Sequence, residues 1–239
     1  MGQIHHLRAF PSHVLLQGIL CVFLIASSPS QNVPKTMTQI SIRLIEPGPA
    51  PGSFEAQPKI YWRAGTTYAR IAEAPDPENH IHGLTIIAEP DIWMVNLEDK
   101  SGKHLTDNGP SDVHIPIFPA GSGVKVKLRP ISPEPSAAKV TLSELEFCME
   151  LEFFAKNGAT LSAGDALKGK PTELHELTTE GRKLTLWTDS ASKKPIRISM
   201  TQGTHTETYE YLSYQDDLAF DPSLFQVPAG IQLTDVSNK

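Results

Sequence analysis

From residue 39 onward, apolar and polar positions alternate with a period of two through much of the chain, the pattern of strands that bury one face. Ile40, Ile42 and Leu44 alternate with Gln39, Ser41 and Arg43 and predict the first strand. The proline-rich stretch 47–58 must be loop, because proline supplies no N–H to a ladder and restricts the residue before it. Two hairpins are predicted next, 59–63 with 67–73 across Ala64-Gly65, and 84–88 with 92–97 across Glu89-Pro90-Asp91. Trp93, Val95 and Leu97 share one face of the last of these strands while Ile92 and Met94 take the other, so it is expected to be covered on both sides. Weaker strands are predicted at 113–118 and 124–128, among prolines and glycines.

The period changes at 142–156. Leu142, Leu145, Met149 and Phe153 recur at helical spacing with Phe147, Leu151 and Phe154 beside them, Thr141 and Glu144 form a capping box, and Asn157-Gly158 supplies a stop. One continuous helix is predicted there, with Glu146, Glu150 and Glu152 on its solvated edge, since a buried carboxylate without a partner is costly. After an expected loop at 162–171 and a short strand at 173–177, the runs 183–189, 195–201 and 207–214 predict an antiparallel meander in which Tyr209, Tyr211 and Tyr214 pack on one side. In the closing segment Asp221-Pro222 starts a turn, Phe225 anchors into the core, and Pro228 with Gly230 redirects the chain into a last strand at 231–233.

The N-terminus breaks the pattern. Residues 1–30 carry Arg8, an apolar run from Val14 to Ala26 and then small residues, the signature of a secretory signal; the run is shorter than the ~20 residues a membrane-spanning helix needs. Leu20, not a small residue, precedes Cys21, which argues against lipidation there. The expected organisation is a signal peptide at 1–30 and a single β-rich domain at 31–239, exported to the periplasm or secreted. The full chain carries a net charge of −6, and removing a segment with one arginine and no acid takes it to about −7, which gives no electrostatic attraction to nucleic acid. Cys148 alone remains after cleavage, so no internal disulfide can form and the core must supply the stability; its apolar neighbours mark it as a buried thiol.

Candidate chemistry is sparse. His80 and His82 could share a metal with Glu78 or Asp76, but they sit in an Asn/Pro-rich turn with no second ligand cluster, and a metal-dependent hydrolase is the weakest of the readings. His104 and His114 with Asp99, Asp107 and Asp112 form an acid/base set only on paper, and no nucleophile elbow, zincin helix or phosphate loop is present. The chain is therefore expected not to be an enzyme and to need no cofactor or metal.

Three stretches carry a family resemblance: Lys59-Ile60-Tyr61-Trp62-Arg63 with Tyr68-Ala69-Arg70, Leu84-Thr85-Ile86-Ile87 with Asp91-Ile92-Trp93-Met94-Val95-Asn96, and the Asp221, Phe225, Pro228 and Gly230 of the closing segment. Together they resemble the LolA-like superfamily of periplasmic lipoprotein carriers. The resemblance implies an α+β, mainly β fold, a curved antiparallel sheet forming an incomplete barrel under a helical lid, with an apolar cavity between sheet and helix that receives a lipid or lipoprotein acyl chain. Trp62, Trp93, Val95, Leu97, Phe153 and Phe154 are then the expected lining. The alternative on the same fold is a filled core and an envelope scaffold or sensor domain that binds protein. In either case a monomer is expected.

Overall fold

A computed structural model describes residues 33–107, 111–118, 127–130 and 142–237; the expected signal segment and the capping residue Thr141 lie outside them. The strands are β1 (Thr36–Glu46), β2 (Lys59–Ala64), β3 (Tyr68–Asp76), β4 (Ile81–Ala88), β5 (Asp91–Asn96), β6 (Ser101–Thr106), β7 (Ser111–His114), β8 (Lys127–Pro130), β9 (Thr160–Leu167), β10 (Lys170–Thr179), β11 (Arg182–Asp189), β12 (Pro195–Gln202), β13 (His205–Ala219) and β14 (Gln232–Asp235), and α1 is Glu150–Lys156. Twelve strands form one curved sheet in the order β14-β6-β5-β4-β3-β2-β1-β13-β12-β11-β10-β9. The end strands do not meet, so the sheet is an open, incomplete barrel as expected. Neighbours are antiparallel, with one exception: β14 runs parallel to β6.

The order follows from two meanders, β1 to β6 and β9 to β13, each built of sequential hairpins. They join because β1 pairs with β2 on one side and β13 on the other: Ile40 lies between Tyr61 and Tyr214, and Ile42 between Lys59 and Tyr211. Strand alternation then sorts side chains onto two faces. The helix face collects Ile40, Ile42, Tyr61, Ala69, Ile71, Ile87, Leu184, Leu186, Ile198 and Tyr211, and is covered by side chains from 113–118 and 142–154, among them Ile115, Leu145, Phe147 and Phe154. The strap face, over β1 to β5, collects Met37, Ala64, Leu84, Ile86 and Val95 and is covered by the closing segment through Leu218, Phe220, Leu224, Phe225 and Val227. The two-sided apolar pattern of β5 is met in part: Ile92 belongs to the helix face and Trp93, Val95 and Leu97 to the strap face, while Met94 is left half-exposed.

Three expectations need correction. The continuous helix 142–156 is broken into a 3-10 turn at Leu142–Glu144 and the seven-residue α1. Between them Glu146 forms a β-bridge with Pro116, and Cys148 takes a left-handed backbone with φ of 69°. The Glu150 side chain accepts the Cys148 N–H at 3.0 Å, so a local side-chain bond replaces the helical one. The predicted C-terminal stop is present, with Gly158 at positive φ and the Asn157 amide donating to the Phe153 carbonyl at 2.8 Å.

The stretch 162–171 is not a loop: most of it is the edge strand β9 and the start of β10. Its small residues are what the sheet requires there, because a Cβ on Gly164 would lie 2.9 Å from Leu174 Cγ. The last strand comes one residue later than predicted and finds its partner at the far edge of the sheet, pairing Gln232 with Ser101.

Phe225, only 3% exposed, anchors the strap as the sequence suggested, stacked on Phe220 at 5.5 Å and set edge-on to Tyr68 at 5.3 Å. Phe225→Ala is expected to destabilise the fold by about 3–5 kcal/mol in urea unfolding, whereas Met94→Ala, at a half-exposed position on β5, should change it by under about 0.5 kcal/mol.

Candidate functional site

The segment covering the helix face carries a cluster of ionisable side chains, most of them buried. On β2, Tyr61 and Arg63 point to the helix face while Trp62 and Ala64 point to the strap face, which places a guanidinium where the pattern otherwise puts apolar groups. Arg63 is 7% exposed, and its donors are spent on the cover. Nη1 pairs with Glu146 Oε2, Nη2 donates to the Val113 carbonyl at 3.2 Å, and Nε donates to the Gly65 carbonyl at 3.3 Å. The other Glu146 oxygen lies 2.5 Å from Nδ1 of the buried His114. Burial raises the Glu146 carboxyl, but the His114 hydrogen bond and the charge and hydrogen bond of Arg63 outweigh it and hold Glu146 below the usual carboxylate range.

Beside this cluster lies a cavity of about 310 Å³, lined by Arg63, Glu144, Glu146, Met149, Glu152, Phe153 and Lys156. Five of these seven side chains are charged, which suits a hydrated or polar occupant better than an alkyl chain.

Deeper under the cover, Glu150 is fully buried. Its Oε1 accepts the Tyr211 hydroxyl at 2.7 Å, and burial pushes its carboxyl up to about 7. Burial, and then the charge of Glu150, push the neighbouring Cys148 thiol far above its ordinary value, the opposite of what a nucleophile needs. Glu146 and Glu150 are therefore not on a solvated edge. Glu146 is paired, and burial shifts Glu150 toward its neutral acid.

The remaining histidines serve other sites. His104 on β6 stacks on Trp93 at 5.4 Å, has Nε2 2.7 Å from Asp91 and Nδ1 3.6 Å from Asp235, and so helps hold β14 to the sheet. His114 faces Glu146 instead, so the two histidines hold separate acidic partners. His80 is exposed and lies 2.9 Å from Glu98. Among the described residues no three His, Cys, Asp or Glu side chains come together as metal ligands would.

The six residues expected to line one cavity fall on opposite sides of the sheet. Phe153 and Phe154 are buried on the helix face, while Val95 is buried on the strap face with Trp62, Trp93 and Leu97 half-buried against it. There, Arg70 lies over the Trp62 ring at 5.5 Å and donates to the Leu224 carbonyl at 2.6 Å, tying the strap down. The residues to which sequence reasoning gave other roles are Arg63, His114, Glu146, Glu150 and Tyr211. Arg63 gave a usable signal, a charge at an inward position of an alternating strand; the others did not, since their partners lie 32 to 83 residues away in sequence.

No protein-family profile matches the chain, and no curated protein does. Solved structures with distant likeness include an uncharacterised conserved protein from Thermus thermophilus (10% identity, TM-score 0.45, covering 84% of this chain and 91% of that one). A LolA superfamily protein from Nitrosomonas europaea is also similar (10%, TM-score 0.29, 82% and 91%). So is the MucA/MucB complex of Pseudomonas aeruginosa (12%, TM-score 0.30), where this chain covers 85% of its own length but 59% of the other. With every TM-score below 0.5, these likenesses fix neither an activity nor a partner.

Arg63→Met would leave Glu146 with His114 but without its cation. Urea unfolding at neutral pH is expected to show a loss of about 3 kcal/mol, toward the low end for a broken buried pair because Glu146 keeps some exposure. The lowered carboxyl adds a sign. The contribution of Glu146 is present above the usual carboxylate pKa and is lost as pH falls through its depressed value, so the gap between wild type and Arg63→Met should narrow in acid.

Proposed function

We propose that the protein is an exported, monomeric, non-enzymatic binding domain of the cell envelope, periplasmic or secreted, whose partner is another protein met at its surface over a filled core. The observation that carries this reading is the packing of the helix face. Tyr61, Phe147 and Phe154 are buried there against Leu145, Leu184 and Leu186, with the Tyr61 and Phe147 rings 4.4 Å apart. The adjoining cavity of about 310 Å³ sits at the lower end of the ~300–1,000 Å³ typical of ligand sites, and its walls are mostly charged where such sites are mostly apolar.

The surface that suits a protein partner is the β9 edge. Thr160 to Gly164 carry no charge and no proline, pair among the described residues only with β10, and leave Leu161 62% exposed; the register shift beyond Gly164 ends the regular edge. An extended segment can add there as a further strand, its backbone satisfying the open edge while a large side chain packs beside Leu161 and the small Ser162 and Ala163.

A second reading, an acyl chain or lipoprotein held under the cover, draws support from the cover's construction: α1 is seven residues long and the anchors at Arg63 and Tyr211 are polar. Lipid would then enter by displacing side chains already in place. Native mass spectrometry of the purified mature protein and titration with a fluorescent fatty acid separate the two. The protein-binding reading expects a single lipid-free mass and no saturable uptake. Stoichiometric uptake, or co-purified lipid, would overturn it in favour of the second.

A further inference from the structure

Glu150 is the first residue of α1 and has no exposed surface. One oxygen, Oε1, takes the Tyr211 hydroxyl at 2.7 Å and the Cys148 N–H at 3.0 Å; the other, Oε2, is buried and has no hydrogen-bond partner among the described residues. The groups around it do not suit a carboxylate. From β13 come the hydroxyls of Tyr211 and Tyr214, both held neutral by burial and then by the charge of Glu150 itself. From its own segment comes the Cys148 thiol, also held neutral. From β10, His175 lies against Phe154 of α1 and has Nε2 3.2 Å from Thr188, with burial disfavouring its charged form. The cation that bears on Glu150 is Arg63 of β2, whose guanidinium is committed to Glu146 and three backbone carbonyls. With a proton on Oε2 the site is a neutral acid accepting two hydrogen bonds. Without it, a full charge sits in an aromatic core with two donors and, among the described residues, no counter-ion at contact.

The segment that carries Glu150 is also delimited by its backbone conformation. Two positive-φ residues bound α1, Cys148 at 69° and Gly158 at 69°; the first is a costly conformation for a residue with a Cβ. An opened segment hydrates Glu150 and favours its carboxylate, while the docked segment favours the acid.

We propose that residues 149–157 form a pH-responsive cover over the helix face, shut while Glu150 keeps its proton and released as it gives the proton up.

The direction follows from linkage. The carboxyl of Glu150 is raised in the docked state to about 7, so its contribution is fully present below the ordinary carboxylate value of 4.5 and is lost as pH rises toward 7. Glu146, lowered, works the other way and holds the cover above 4.5. The cover is therefore firmest near the ordinary carboxylate range and loosens toward neutral pH. This inference concerns access to the helix face and stands whether the partner is protein or lipid.

Hydrogen exchange of the peptides spanning 149–157 tests it, read at pH 5.5 and 8.0 and corrected for intrinsic rates, in wild type and Glu150→Gln. Wild-type protection is expected to fall by at least about tenfold between the two pH values, while Glu150→Gln, which cannot ionise, stays flat. A flat wild type, or a fall that persists in Glu150→Gln, overturns the proposal. Should the variant not fold, the carboxyl carbon shift of Glu150 in wild-type protein decides: a midpoint near neutral pH supports the switch, and one in the ordinary carboxylate range refutes it.

Discussion

The pairing of β1 with β13 is the interaction on which the rest of the molecule depends. Each of the two meanders is local, a run of hairpins that could form from neighbouring sequence, but only this pairing makes them one sheet. It also feeds both faces. Ile40, Ile42 and Tyr211 enter the helix-face core from the paired strands, while Met37 and Leu218 serve the strap face. Polar side chains reinforce it: Arg43 reaches Glu210 at 2.7 Å, and the Thr208 hydroxyl donates to Glu46 at 2.6 Å. Glu210 is buried, which raises its carboxyl, yet the hydrogen bonds and charges of Lys168 and Arg43 prevail and keep it lowered.

A sheet apolar on both faces needs two covers, and the chain supplies them differently. The strap runs directly on from β13 and is held by aromatic contacts around Phe225 and by Arg70. The helix-face cover comes from mid-chain and is held by polar groups as well as by its phenylalanines. Polar anchors under a cover make it sensitive to protonation, and Glu146 and Glu150 give that sensitivity opposite signs within one short segment.

The features legible in the sequence were those set by neighbouring residues. Period-two alternation placed β2 to β5 and β11 to β13, and the spacing of Asp221, Phe225 and Gly230 indicated an anchored closing turn whose Asp221 side chain accepts the Ser223 N–H. What failed depended on distant contacts. Helical spacing at 142–156 was real in the sequence, but Arg63, Pro116 and His114 capture Glu146 and break the helix before α1. The stretch 162–171 looked like loop because the need for a glycine at 164 comes from Leu174 across the ladder. The six aromatic and aliphatic candidates were grouped by character, and character alone does not say which side of a sheet a residue occupies; Trp62 and Phe154 are equally apolar and face opposite ways.

One sheet joined at a central seam, with a separable cover on its helix face, implies a definite order of stability. Native-state hydrogen exchange in increasing denaturant measures that order most directly. The amides of Ile40, Ile42 and Tyr211 should exchange only through global unfolding, while those of Phe153 and Asn157 exchange through a smaller opening at lower free energy. Equal protection in cover and seam, or earlier opening of the seam, would contradict the account.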